Sequence, residues 1–373
     1  MPNASLKIRA PRAILAAFSA TMLLSAVFCT PPQVRAVETW EKLDKRLKQQ
    51  IFHLNVGLKL RSKDGLWIYL SDMSPKLHYA VFSTSAEDRG YRVIGFGSTF
   101  PVKSALKDNT YFLTSRHVID NAEGITKECQ RFFAAMKLYA EQSGNGNPDA
   151  RYKQVLAIVN LGTKPMASAE RAQYQATVDA IWDTYENNLS LHADPARVLF
   201  NKYSKANEVQ SQQGYFLHAP GPVTQQPLEA KIYKIAKTDS EPDLAILSVA
   251  DAHVAPLELD NAAASEGQEI QVIGYPTASE QLDVDKEKYY APTFSTGRVS
   301  RVGPHILQVD APITSGNSGG PVVSLRGKAL GVVAMRAMSA KGGELANFGG
   351  AVPLSSIQSF APELFPHISG AAQ

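Results

Sequence analysis

Gly316-Asn317-Ser318-Gly319-Gly320-Pro321 is the stretch on which the reading of this chain turns. Glycine on both sides of the serine removes the Cβ barrier to unusual backbone angles, so consecutive N–H groups can turn inward beside the hydroxyl. That layout places an oxyanion hole next to a nucleophile. An ordinary Gly/Asn/Ser hairpin turn has the same composition, so the motif decides nothing until its partners are found.

A serine hydroxyl is a poor nucleophile at neutral pH and needs a base within hydrogen-bond reach, held in turn by a third group. Of the eight histidines, His117 alone directly follows an apolar strand, in Tyr111-Phe112-Leu113-Thr114-Ser115-Arg116-His117-Val118-Ile119. His53, His78, His192, His218, His253, His305 and His367 lack such a frame and read as structural histidines. The third group should be a carboxylate that becomes buried against the imidazole. Asp243 opens the apolar run Asp243-Leu244-Ala245-Ile246-Leu247 just after Pro242, whereas Asp239, Glu241 and Asp251 do not sit at a strand entrance.

Working outward, short β-branched or aromatic runs bounded by turn residues recur at 66–70, 79–82, 92–96, 232–235, 244–249, 269–273, 297–302, 305–309, 321–325 and 329–334. No helix of ordinary length separates the later ones, so the fold class is mainly β, an antiparallel barrel or sandwich. Glu38 to Leu60 reads as helix-leaning and charged. Between the strand-rich halves, Ile125, Cys129, Phe132, Met136 and Tyr139 step by four and three and share one helical face. Tyr174, Val178, Ile181, Tyr185 and Leu189 make a second such face. Shorter helices are expected at Asp149–Leu161 and at Asp194–Tyr203, the latter capped by Asp194. The stretch from about 122 to 226 is thus a helical insertion of roughly a hundred residues in a β framework, and no internal repeat is visible.

At 373 residues with 44% apolar content, the chain can bury a substantial core. Lys7, Arg9 and Arg12 precede an apolar run from Ala13 to Phe28, then Val34-Arg35-Ala36, the pattern of a secretory signal peptide over 1–36. Removing its four basic residues, with no acid among them, takes the net charge from +3 to −1. The basic balance therefore belongs to the leader, and no nucleic-acid partner and no stable membrane insertion after cleavage are expected. Cys129 is the one cysteine outside the leader, so no internal disulfide is expected, and beside Phe132 and Phe133 it reads as a buried small hydrophobe.

The order His117, Asp243, Ser318 is that of the chymotrypsin-fold serine proteases. The chain more closely resembles the HtrA/Deg family of exported bacterial serine proteases. The resembling segments are 114–122, 243–247, Ile273-Gly274-Tyr275-Pro276, Ser295-Thr296-Gly297-Arg298-Val299-Ser300, 308–321 and Phe348-Gly349-Gly350-Ala351-Val352-Pro353, within about 80–122 and 230–360. The resemblance implies a chymotrypsin-like double antiparallel β-barrel, with the helical insertion in its N-terminal barrel. It also implies His117 and Asp243 on the first barrel and Ser318 on the second, working without metal or cofactor. Backbone N–H groups of Gly316 and Ser318 would hold the oxyanion. Val333, Ala334, Met335 and Arg336 would pair with substrate as an added strand, and Ile313 would help line the primary specificity pocket. Pro312 stands six before the serine where an acid would select Lys or Arg, so small or medium apolar side chains are expected.

The chain departs from the family in three ways. Only 55 residues follow Ser318, enough to finish a barrel, so no PDZ domain is expected. The connection from His117 to Asp243 spans 126 positions, making room for an insertion that is cladding, a lid, an exosite or an oligomer contact. Ser115 replaces an Asn often found before the residue that precedes the histidine. The domain plan is a leader at 1–36, a helical and extended segment at 37–65, a trypsin-like domain at 66–360 and a C-terminal tail at 361–373. The expected function is an exported endopeptidase, periplasmic or extracellular, acting on unfolded or exposed protein segments. The alternative is a protease-fold binding or sensor protein with weak or latent catalysis acting through the insertion. Relatives suggest a trimer held by N-terminal contacts, for which Trp40 and Phe52 are candidates.

Overall fold

A computed structural model describes residues 39–366 except 75, 77, 190–194, 207, 239, 278–288 and 339–343. The expected leader at 1–36 therefore lies outside the described residues. The chain enters through α1 (Trp40–Leu47), whose Leu43 and Leu47 are one turn apart and both buried, and then runs straight into β1 (Phe52–Ser62). The helix-leaning expectation for 38–60 is thus half wrong. Phe52, Leu54, Val56, Leu58 and Leu60 alternate and are all buried, a period of two that only a strand satisfies. Because β1 belongs to the first barrel, the domain begins well before residue 66.

After β2 (Trp67–Met73) and β3 (Ala80–Ser85) come β4 (Arg92–Val102) and β5 (Thr110–Thr114). Beyond the insertion lie β6 (Val209–His218), the short β7 (Gly221–Pro222), β8 (Leu228–Ile235) and β9 (Ala245–Val249). The sheet order is β3-β2-β1-β4-β5-β9-β8-β6, and β6 returns to pair with β1 from His53↔His218 to Ser62↔Val209, closing a six-stranded barrel. The second barrel is β10 (Glu269–Gly274), β12 (Thr293–Val302), β13 (Leu307–Val309), β14 (Pro321–Ser324), β15 (Ala329–Met338) and β16 (Glu344–Pro353). Its order is β10-β12-β13-β16-β15-β14. Counted along the chain, both barrels neighbour as 1-2-3-6-5-4, a structural repeat that the sequence does not display. The short β11 (Tyr289–Tyr290) pairs with β7 and links the two halves.

The insertion sits between the third and fourth strands of the first barrel. After α2 (Arg116–Ile119) it comprises α3 (Ala122–Gln142), α4 (Pro148–Val159), α5 (Ser168–Leu189) and α6 (Pro195–Ala206). It ends near 206 rather than 226, because β6 is a barrel strand. Asn147 caps α4 by accepting the Asp149 N–H at 2.9 Å, with Pro148 in the first turn. The expected cap at Asp194 lies outside the described residues. Cys129, Phe132, Met136, Tyr174, Val178 and Ile181 pack with Trp182 against Leu58, Ile68, Val81 and Phe82, so the helices clad the β2–β3 flap. Leu189 breaks the expected face, since it is 52% exposed.

Each barrel has its own interior cluster, and a third cluster joins them, drawing on Phe100, Leu113 and Ile246 from one and Ile273, Val332 and Val352 from the other. The last helix, α7 (Leu354–Phe360), leads into Ala361, Leu364 and Phe365, which are buried in that joint cluster. The Leu364 carbonyl accepts the Ala105 N–H at 2.9 Å. Ala361, Leu364 and Phe365 therefore belong to the core rather than to a tail. Phe52 points into the first barrel, edge-on to Phe112, and is not a surface contact; Trp40 donates its indole N–H to Glu269 at 2.8 Å.

Candidate active site

The residues Tyr111 to Thr114 form the third barrel strand, and at its end the chain turns through buried Ser115 into the single turn of α2. Val118 and Ile119 anchor that turn in the first-barrel interior, leaving His117 facing outward. Asp243 stands immediately before β9, which pairs with β5 from Thr110↔Val249 to Thr114↔Ala245. That register brings the two strand ends together. The His117 Nδ1 lies 2.6 Å from Asp243 Oδ2, and the His117 backbone N–H donates to Asp243 Oδ1 at 3.0 Å. A carboxylate only accepts, so the imidazole proton sits on Nδ1 and Nε2 is left as the basic nitrogen.

Their side chains remain 47% and 24% exposed. Burial raises the Asp243 carboxyl, but the hydrogen bonds and charge of His117, with the more distant Arg116, together hold it below the usual carboxylate value. The pair therefore stays ionised on the acid side at neutral pH.

Ser318 comes from the second barrel, on the loop before β14, and shares with His117 and Asp243 a cleft of about 530 Å³. Gly316 and Gly319 have φ of +95° and +85°, and a Cβ at Gly319 would lie 2.1 Å from the Ser98 carbonyl oxygen. Only glycine fits there. The Ser315 carbonyl accepts from the Thr277 N–H at 2.8 Å and from its hydroxyl at 3.1 Å. Because the next peptide is planar and trans, this aims the Gly316 N–H the opposite way. Among the described residues, neither the Gly316 nor the Ser318 N–H has an internal acceptor, whereas Asn317, Gly319 and Gly320 donate to Thr314, Val333 and Asn317. Two neighbouring donors are thus left for a ligand oxygen beside the hydroxyl.

The loop is tied across the barrels by residues that sequence reasoning missed. Ser98, buried on β4, donates its hydroxyl to the Gly316 carbonyl at 2.7 Å, accepts the Tyr275 N–H at 2.9 Å and donates its own N–H to the Ser318 carbonyl at 2.8 Å. A lone serine within a strand carries no signal of such a role. Ser115 donates to the Val333 carbonyl at 2.6 Å, so the departure from Asn is filled by a hydroxyl tie.

Of the expected substrate-strand residues, Val333 is a correction. Its N–H goes to Gly320 and its carbonyl accepts from Gly319 and Ser115, so neither group is left for a substrate. Ala334 lines the cleft at a register shift of β15, and β14 pairs with β15 only as far as Val332, which leaves the backbone of Met335 and Arg336 paired with β16 on one side only. Ile313 is 7% exposed, belongs to the second-barrel interior, packs against Gly349 and is not among the residues lining the cleft. Cys129 is buried, and burial pushes its thiol well above the ordinary range, as an inert hydrophobe requires. Among the described residues, no three His, Cys, Asp or Glu converge as metal ligands, and no helix is long and apolar enough to cross a membrane.

Residues 201–332 match the trypsin-like peptidase domain family. That part of the chain is similar to a trypsin-like peptidase domain. A stretch of this chain aligns with the serine protease Do-like HtrA of Bacillus subtilis (strain 168), 28% identical over 140 residues, 35% of this chain and 30% of that protein. The corresponding protein of Lactobacillus helveticus is 30% identical over 135 residues, 35% of this chain and 33% of that protein. The chain thus spans about a third of the length of the curated relatives it matches. The serine endoprotease from Yersinia pestis aligns over 89% of this chain and 67% of its own at 13% identity and a TM-score of 0.42. The trypsin-like fold rests on the strand order of the two barrels rather than on that overlay.

Proposed function

We propose that this chain is an exported serine endopeptidase that cleaves unfolded or exposed protein segments through an acyl-enzyme. The observation that carries the reading is the meeting, in one cleft, of the His117–Asp243 pair, Ser318 and two unengaged N–H groups. Ser318 Oγ attacks the scissile carbonyl while His117 Nε2 takes its proton. The carbonyl oxygen, now negative, accepts from Gly316 and Ser318 N–H, and the loss of one such donor typically costs about 3 kcal/mol. His117 then returns the proton to the leaving amine as the C–N bond breaks, and water repeats the cycle on the acyl ester. Asp243 keeps the proton on Nδ1 and stabilises the imidazolium. The substrate N-terminal to the scissile bond adds as a strand to β15 from Ala334 to Arg336. Export rests on the basic and apolar leader at 1–36.

The test is a fluorophosphonate probe and a denatured protein substrate applied to the mature protein beside Ser318→Ala. Labelling and proteolysis that both vanish in the variant are expected. No labelling of the intact protein overturns the reading, and labelling without proteolysis favours a latent or sensor protein working through the insertion. Cell fractionation with N-terminal sequencing tests export, with the mature chain expected to begin at Val37.

A further inference from the structure

The insertion does more than cover the β2–β3 flap. Beside the catalytic cleft lies a second cavity of about 620 Å³ between α3, α5 and the first barrel. Ile94, Ile125, Trp182, Tyr185 and Leu189 make its apolar walls. Leu189 and Tyr185 are the end of the α5 apolar face, which runs past the core, and Leu189 is largely exposed there. Arg131 stands among the lining residues, exposed, with no ion pair or hydrogen bond among the described residues. The Glu128 carboxylate, by contrast, accepts the Ala80 N–H at 3.0 Å.

The two cavities adjoin each other. Asn121 lines both, and the consecutive β4 residues Gly95 and Ile94 line the catalytic cleft and the second cavity respectively. A Cβ at Gly95 would lie 2.8 Å from Asn121 Nδ2, which donates to the Val118 carbonyl at 3.1 Å, so the absence of a side chain at Gly95 lets this amide form a low sill. The second barrel supplies the Ala334 wall and the open edge of β15, and the first supplies the Gly95, Phe96, Val118 and Asn121 wall. With the acyl half of a substrate on β15 as proposed, the first-barrel wall with Asn121 is the part of the cleft left for its leaving half.

We infer that this groove is a specificity site for the part of the polypeptide substrate that follows the scissile bond, taking an apolar or aromatic side chain against Ile125, Tyr185 and Leu189 and a nearby acidic group against Arg131. The inference rests on the peptidase reading. It commits to substrate as occupant because the groove adjoins the catalytic cleft at Asn121 and because Arg131, which makes no ion pair among the described residues, stands exposed beside its apolar walls.

The experiment compares two quenched fluorescent peptides with the same residues before the scissile bond. One continues Ser-Leu-Phe-Asp-Glu-Asp, and the other has lysine in place of each acid. The wild type is expected to favour the acidic peptide by roughly fivefold in kcat/KM, the scale of one exposed ion pair. Arg131→Glu should invert the preference. Gly124→Trp, at a helical position where an added Cβ meets nothing within 4 Å, should fill the groove and bring the ratio between Ser-Leu-Phe and Ser-Gly-Gly continuations close to one. Equal turnover of all continuations by the wild type, or an Arg131→Glu variant with unchanged preference, overturns the inference. The same product-side peptide, fluorescein-labelled, is titrated onto Ser318→Ala. If the wild type neither cleaves peptides nor takes a fluorophosphonate, the peptidase reading has failed. The groove is then still decided by whether this binding occurs and is lost in Gly124→Trp.

Discussion

His117 is aligned by Asp243 twice, through its ring and through its own backbone N–H, so the carboxylate sets both the tautomer and the position of the turn that carries the ring. Asp243→Asn keeps the shape but can present an N–H to the imidazole, and turnover is expected to fall by ~10⁴ with little change in folding, read from kcat beside a urea titration. A pair of neighbouring histidines, His53 and His218, bears on stability instead. His218 on β6 lies beside His53 on β1, with Tyr275, Tyr290 and Phe96 around them and Asn55 Nδ2 at 3.2 Å from His218 Nε2. Burial, then the charge of His53, lowers the His218 pKa from 6.5 to about 4. The unfolded chain binds that proton near 6.5 and the native state does not, so the neutral ring's contribution is complete above that value. It is lost as pH falls from 6.5 towards 4. Urea midpoints measured from pH 7.5 to 4.5 should fall in the wild type and fall less in His218→Gln.

At the scale of elements, the insertion and the strand that follows it must be separated. Excising 124–228 removes β6, whose long ladder with β1 closes the first barrel, and is expected to give no folded protein. Excising only the helices uncovers Val81, Phe82 and Ile68, which the helices bury. The insertion is therefore part of the hydrophobic core of this chain. Phe132, fully buried with ring contacts to Phe82, Phe133 and Trp182, reports on it. Phe132→Ala is expected to cost about 3–5 kcal/mol by chemical denaturation, through lost burial and the cavity left behind. A loss below about 1 kcal/mol would show that the helices pack loosely on the flap.

On the scale of the whole molecule, the site exists only where the barrels meet. The joint cluster and the Ser98 and Ser115 hydroxyl bonds run across that junction, so neither barrel can loosen without disturbing the Ser318 loop. Thermal unfolding should accordingly appear as one transition, coincident in far-UV circular dichroism, tryptophan fluorescence and loss of fluorophosphonate labelling. Two transitions, with labelling lost at the first, would mean that the barrels melt separately.

His117, Asp243 and Ser318 were legible because each sits in a short local pattern: a strand end, a strand entrance and a glycine-lined turn. The two long helical faces were legible for the same reason, since a period of 3.6 is written within a few turns. The alternation in β1 was also present, but the charged residues of the preceding helix masked it. β6 has an exposed, glutamine-rich start, and its partner lies some 150 residues away, so nothing nearby marks it as a closing strand. The same holds for Ser98, for the buried Ala361, Leu364 and Phe365 and for the groove beside Asn121. Sequence alone determined which groups could do the chemistry, because reactivity follows from residue type and local backbone. Only the tertiary structure decided what closes the barrels, what holds the nucleophile loop and where the cleft leads, because those depend on contacts between distant strands.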